Sequence, residues 1–316
     1  MTEKKIIAVV GATGTQGGGF ARAILNDPNR EFRVRAITRK PDSDKAKALA
    51  AAGAEIVIAD LNDVASVTKA FTGAYGAFCV TNYWELFDAE KEKAQAQNLA
   101  AAAQRCGIKH TIWSTLEDTR EFIPLSDNRM PTLYGKYKVP HFDGKGEADA
   151  YFKEAHVPTT CLRFPYFWEN MIYFGTGPQK GPDGKYYISY PMGNKKMAGI
   201  GTEDIGQCIL GVFKVPGEFI GKTVGVAGDE LTIADMAVTL SKALGKEILY
   251  NSVSAETYRG FGFPGADDMG NMFQFYADFE EYLSGARSVA LGRRLNPKIK
   301  NFEQWARTHA ARIPLK

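Results

Sequence analysis

The sequence is short of the features that mark a disulfide scaffold, a metal protein, a membrane span or a polyelectrolyte binder. It holds 4 cysteines and 4 histidines in 316 residues. Cys79, Cys106, Cys161 and Cys208 stand far apart in apolar segments, so they offer neither a disulfide framework nor a zinc ribbon and read as core thiols of a reducing compartment. His110, His141, His156 and His309 lack metal-ligand spacing, and no metal is expected. No apolar run approaches the roughly 20 residues that a membrane helix needs. The opening MTEKKIIAVVGATG imitates a signal peptide, but Gly11, Thr13, Gly14 and Gln16 interrupt its apolar run too early. With 39 basic against 36 acidic residues, the formal charge of +3 is too small to attract nucleic acid or a membrane surface by itself. The expectation is therefore a cytoplasmic protein with neither membrane nor direct nucleic-acid partner.

What is present is a full core, at 45% hydrophobic and 24% charged residues, and an ordered alternation of short β-rich runs with alanine-rich stretches of helical period. Strands are expected at Ile6 to Val10, Arg33 to Ile37, Glu55 to Ile58, Ala77 to Val80, His110 to Trp113 and Thr159 to Leu162. Helices are expected between them, at Thr15 to Leu25, Ser43 to Ala51, Val64 to Phe71, Ala89 to Cys106 and His141 to Glu154. With right-handed crossovers this gives a doubly wound α/β Rossmann fold on a parallel sheet. After Arg163 the chain turns aromatic and rich in Gly and Pro. The division expected is a nucleotide-binding domain over 1–163, to which the chain returns near 200–227, and a smaller lobe over 164–316 for substrate or partner. Thr232 and Asp235 form a capping box that starts a further helix.

Gly11, Gly14 and Gly17 lie between the first strand and the first helix with the spacing GxxGxxG. A dinucleotide pyrophosphate needs backbone N–H groups at a helix start and no Cβ where phosphate or sheet comes close, so the turn, with Thr13, Thr15 and Gln16, is expected to hold the cofactor. A carboxylate at the end of the second strand would select the free ribose hydroxyl of NAD; the chain has Arg39 and Lys40 there, which suit a 2′-phosphate and point to NADP(H). Asp60 and Leu61 end the third strand, where they flank the adenine or where Asp60 caps the next helix. Thr81, Asn82, Tyr83 and Trp84 end the fourth, beside the central riboses.

GATGTQGG, ITRKP, TNYWE, HFDGKGE and GFPGADDMGNMFQFYA together resemble the NmrA-like branch of the atypical short-chain dehydrogenases over most of the chain. The resemblance implies a Rossmann domain, NADP binding and a small C-terminal lobe. Members of the branch divide between regulators without known turnover and NADPH-dependent reductases, so both a redox sensor acting through protein partners and a reductase of a small apolar acceptor are expected classes, either compatible with a homodimer. The superfamily's Tyr-x-x-x-Lys pair has two candidate positions. Tyr134 and Lys138 have the spacing, but Pro131 and Pro140 disfavour a continuous helix there. His141 and Lys145 open the helix before the sixth strand, with His in the tyrosine position; Gly144 and Gly146 make sense there if that helix face presses against something close. Lys145 is thus expected to hold the nicotinamide ribose, His141 to be either a candidate acid or a polar residue at the helix start, and Ser114, with Thr115, to orient a ligand at the end of the fifth strand. Tyr166, Phe167, Trp168, Asn170, Phe261, Phe263, Met272, Phe273 and Tyr276 supply core and the floor of an apolar pocket, with Tyr166 also expected to reach the cofactor. GEFIGKT is close to a phosphate-binding loop but one residue short and runs into a strand, and Arg293, Arg294, Lys298 and Lys300 read as a solvated basic face.

Overall fold

The computed structural model describes residues 4–316; the first three residues of the MTEKK opening lie outside the described residues. In chain order the elements are β1 (Lys5–Val9), α1 (Thr15–Leu25), β2 (Phe32–Thr38), α2 (Asp44–Ala51), β3 (Glu55–Ile58), α3 (Val64–Phe71), β4 (Gly76–Cys79), α4 (Tyr83–Leu86), α5 (Ala89–Arg105), β5 (His110–Thr115), α6 (Pro140–Glu154) and β6 (Thr159–Arg163). They are followed by β7 (Tyr166–Phe167), α7 (Asn170–Tyr173), β8 (Gln179–Lys180), β9 (Tyr186–Tyr190), β10 (Lys196–Ile200), α8 (Thr202–Lys214), α9 (Pro216–Phe219) and β11 (Thr223–Gly225). The last elements used below are β12 (Asp229–Thr232), α10 (Ile233–Leu244), β13 (Ile248–Ser252), α11 (Ala255–Arg259) and α12 (Ala266–Asp278).

One sheet has seven strands in the order β11-β6-β5-β4-β1-β2-β3, and its β1 to β6 pairings are all parallel. The strand order reverses at β1, which is where a doubly wound sheet opens a crevice at its carboxyl edge. Near-continuous apolar strands are what a sheet covered on both faces requires, and β4 and β5 are buried at every position. Alanines make up most of the helix side of this core: Ala96, Ala100 and Ala103 of α5, with the larger Leu99 between them, are buried with Phe71, Ala77 and Trp113 within one apolar cluster. Ser43 and Asp63 cap α2 and α3 by accepting from Ala46 N and Ala65 N, so the cap of α3 is Asp63 and not Asp60.

The chain divides into two compact units. The first comprises residues 4–118, 141–163 and 205–224, so the chain returns to it through α8 and α9 and adds β11 to the large sheet. The second comprises 119–140, 164–204 and 225–316. Residues 119–140 fall inside the 1–163 span drawn from the sequence but group with the second unit, because Asn271 of α12 spends both amide hydrogens on the carbonyls of Pro131 (2.9 Å) and Lys138 (2.6 Å). Two small sheets, β12-β10-β7 and β13-β9-β8, belong to this unit. Thr232 caps α10 as expected, accepting from Asp235 N at 3.1 Å.

Candidate functional site

The site is built from the carboxyl edge of the large sheet. After β1 the backbone is pinned on both sides: Val10 N donates to Phe78 O of β4 (3.0 Å) and Ala12 N to Ile37 O of β2 (3.2 Å). Gly11 turns there at φ +62°, in the left-handed region where a side chain is disfavoured, and Gly14 N closes the turn on Gly11 O at 2.8 Å. A Cβ on Gly17 would lie 2.4 Å from Val10 O and 2.5 Å from Gly11 O, so only glycine lets α1 start this close to the strand end. Gly14 supplies no side-chain cap, which leaves the first N–H groups of α1 facing the turn without a side-chain acceptor. An uncapped helix start behind a glycine turn fits a dinucleotide pyrophosphate. Gln16 reaches across to β5, where Ser114 Oγ donates to its Oε1 at 2.7 Å, so these two predicted site residues hold each other.

At the end of β2, Thr38 Oγ1 and Thr13 Oγ1 lie 3.4 Å apart and Lys40 N donates to Thr38 Oγ1. Arg39 Nη2 is paired with Glu85 Oε1 of α4 at 2.6 Å, both side chains about half exposed. A cavity of about 280 Å³ opens between α1 and α2 beside Ala12 and Thr13, with Arg22 and Lys45 on its walls. Arg22 and Lys45 thus add to the basic character of this edge, which the strand-end motif alone did not indicate. At β3, Asp60 Oδ1 accepts from the backbone and side chain of Asn62 (2.9 and 2.8 Å), and Leu61 O accepts from Asn98 Nδ2 at 2.8 Å.

Lys145 lies on α6 and points at the end of β4. Its Nζ donates to Thr81 Oγ1 (2.8 Å) and Thr81 O (3.1 Å) and pairs with Glu92 Oε1 of α5 at 2.7 Å. The Thr81 hydroxyl donates to the same Glu92 oxygen at 2.9 Å. Lysine, carboxylate and hydroxyl thus form a buried, electrically neutral triad in which Glu92 is 1% exposed. The sequence reading missed Glu92, although a signal was available: with Ala89, Ala96, Leu99 and Ala103 it falls on one helical stripe, so the phase puts a carboxylate on the buried face of α5. One turn before Lys145, buried His141 packs its ring at 4.8 Å from Trp84 and 6.0 Å from Tyr83, Asn82 being the residue that starts α4. Gly146 presses on chain and not on ligand: a Cβ there would lie 2.3 Å from Asp118 N.

Behind the triad, Asp149 Oδ1 accepts from Trp113 Nε1 (2.8 Å) and from Thr115 Oγ1. Burial pushes its carboxyl up to about 6, with neighbouring Glu117 adding to the rise and Thr115, Arg163 and Trp113 opposing it. Asp149 therefore binds a proton in the folded chain at pH values where the unfolded chain has lost it. Its contribution to stability is complete below its ordinary pKa of 3.8 and disappears as pH rises through 6. Asp149→Asn, which keeps an acceptor for Trp113 and Thr115, should flatten that part of the profile. Urea unfolding of both proteins at intervals across this window is the check, and equal slopes would count against it.

The second unit holds further predicted residues. Tyr166 belongs to the second unit, its hydroxyl within hydrogen-bond distance of Thr176 (2.6 Å) and Tyr190 (3.1 Å), and burial raises its pKa well above the ordinary value. Trp168, Met272 and Phe273 are buried core of that unit. Tyr134 sits at φ +50° in a loop, and Lys138 Nζ donates to the carbonyls of Asp127 (2.6 Å) and Met130 (2.7 Å), so this Tyr-x-x-x-Lys spacing does not lie on a helix. No group of three or more potential metal ligands occurs among the described residues.

The model of the NmrA-like family matches residues 3–306. An NmrA-like family domain-containing oxidoreductase, FrzB, of Cladobotryum sp. is 30% identical over 91% of this chain and 93% of its own length. An NmrA-like family domain-containing protein of Dictyostelium discoideum is 27% identical over 95% and 96%. Among solved structures, NmrA, a negative transcriptional regulator, in complex with NADP matches with a TM-score of 0.78 at 23% identity, over 97% of this chain and 95% of that one. The triphenylmethane reductase of Citrobacter sp. complexed with NADP(H) matches with a TM-score of 0.71 at 19% identity, over 98% and 100%.

Proposed function

This chain belongs to the NmrA-like family, and we propose that it binds NADP(H) at the β1–α1 turn and acts as a redox sensor that signals through protein partners. NADP binding is supported by the NADP complexes of the structural neighbours and by the strand end of β2, which offers Arg39 and Lys40 and no carboxylate. The observation that carries the sensor reading is the Lys145 triad. The three donors of the ammonium are matched by Glu92 Oε1, Thr81 Oγ1 and Thr81 O, and its charge is balanced by Glu92. A lysine so neutralised does little to lower a neighbour's pKa, and the residue one turn before it is a histidine packed against Trp84 in place of a tyrosine. The acid-supplying pair of a conventional short-chain dehydrogenase is thus not assembled by these side chains.

NADP(H) should bind at least about tenfold more tightly than NAD(H), equivalent to roughly 1.4 kcal/mol. Arg39→Ala should shrink that ratio. Calorimetry with both cofactors on both proteins tests it, and equal affinities in the unaltered protein would remove the cofactor assignment. Sensor and enzyme are separated by NADPH consumption with a panel of aldehydes, quinones and imines, alongside a pull-down with and without NADPH. Cofactor-dependent partner capture without turnover supports the sensor.

The second reading is an NADPH-dependent reductase of a small apolar electrophile, favoured by the oxidoreductase names of relatives such as FrzB. Bound NADPH would supply the hydride, and an already activated acceptor would need no protein acid. If His141 does donate a proton, His141→Ala should cut turnover by roughly 10² or more while leaving cofactor affinity nearly intact.

A further inference from the structure

We infer that Glu85 is a specificity-determining residue of the nucleotide site, a built-in competitor for the cation that reads the 2′-phosphate. The inference rests on the NADP(H) reading of that site. Arg39, at the end of β2, and Glu85, on the short helix after β4, come from segments separated by 46 positions and meet at 2.6 Å. The carboxylate stands where an anion recognised by Arg39 has to bind. A 2′-phosphate carries more charge than a carboxylate and can accept from the guanidinium fork through two oxygens, so it displaces Glu85. A ribose with a free 2′-hydroxyl is a neutral acceptor and does not. Glu85 therefore lowers the affinity for every nucleotide that needs Arg39, and leaves nucleotides that do not need it unaffected.

The position of Glu85 also makes the displacement visible. It lies on a single helical turn beside Trp84, whose ring packs at 4.8 Å on His141, and the turn ends at Phe87 in the left-handed region at φ +47°. A bulky residue at that φ is strained, so side-chain contacts such as Arg39–Glu85 bear on the turn's conformation alongside its Phe87 N–Tyr83 O bond of 2.6 Å. Taking Arg39 away from Glu85 removes one of those contacts next to Trp84. The 2′-phosphate would then be felt at the Trp84–His141 pair without the nicotinamide being involved.

The test uses 2′,5′-ADP, which carries the phosphate and no nicotinamide, against 5′-AMP, which lacks it. Glu85→Gln should strengthen 2′,5′-ADP and NADPH binding by about twofold to fivefold, the range set by an exposed ion pair, and leave 5′-AMP unchanged. Glu85→Asp should stay near the unaltered protein, and in an Arg39→Ala background Glu85→Gln should have no effect. Tryptophan emission, with Trp84→Phe as the blank, should shift on adding 2′,5′-ADP and not 5′-AMP, and the shift should shrink in Glu85→Gln. A merely structural role would lower affinity or leave it alone, so no gain in Glu85→Gln overturns the inference. If the unaltered protein prefers 2′,5′-ADP and Glu85→Gln changes nothing, the inference alone fails. If the unaltered protein does not discriminate the two nucleotides, the NADP(H) reading fails with it.

Discussion

Lys145→Met should destabilise the protein by about 3–5 kcal/mol at neutral pH, because removing one partner of a buried ion pair strands the other. Glu92 is 1% exposed, and among the described residues its Oε2 lacks a hydrogen-bond partner and the Thr81 hydroxyl is what remains to hold the carboxylate. Glu92→Leu on the Lys145→Met background should recover most of the loss, since an apolar pair of similar volume can replace a buried ion pair without penalty. Urea unfolding of the single and double variants is the measurement, and a deficit that the second substitution fails to relieve would sink the account. The double variant also separates fold from function. If its stability is restored and its NADPH affinity is still low, Lys145 contacts the cofactor; if affinity returns with stability, its role in the site is structural.

Much of the first unit was legible in the sequence because local signals and the global fold agree there. β3, α1 and α3 run over the residues expected from periodicity, and the other elements of β1 to β6 differ by a few residues at their ends. GxxGxxG marks the turn because glycine at those positions answers to backbone geometry within a few residues, which a linear reading can see. Glu92 and Lys145 are 53 positions apart and Arg39 and Glu85 46 apart, and nothing in the spacing pairs them; the strand order does so, setting β4, β5 and β6 side by side for the first pair and placing β2 and β4 on either side of β1 for the second. Asp149 escapes notice for a related reason. It reads as a surface carboxylate of α6 until Trp113 and Thr115 of β5 are placed under it. The hydroxyl partners of Tyr166, Thr176 and Tyr190, are likewise 10 and 24 positions away and are not indicated by any local spacing.

Gly17→Ala should reduce NADP(H) affinity by at least about tenfold, with a loss of stability of about 1–3 kcal/mol, the usual cost of forcing an extra carbon into a packed site. The new Cβ would meet two backbone carbonyl oxygens, of Val10 and Gly11, at 2.4 and 2.5 Å. Neither is the free end of a flexible side chain. Val10 is fixed by its N–H bond to Phe78 O, and Gly11 O is occupied by Gly14 N, so relief has to come from moving the start of α1 away from the turn. That displaces the N–H groups on which the pyrophosphate reading depends. Gly14→Ala is the matched control. Its φ of −88° suits any residue, and its Cβ would stand 3.2 Å from a single atom, Gly11 O. It should therefore cost distinctly less in stability than Gly17→Ala, although it lies nearer the turn's centre. Calorimetric NADPH titration and urea unfolding of the two variants make the comparison. Equal losses would mean that the turn tolerates displacement and that cofactor affinity is set elsewhere along the sheet edge.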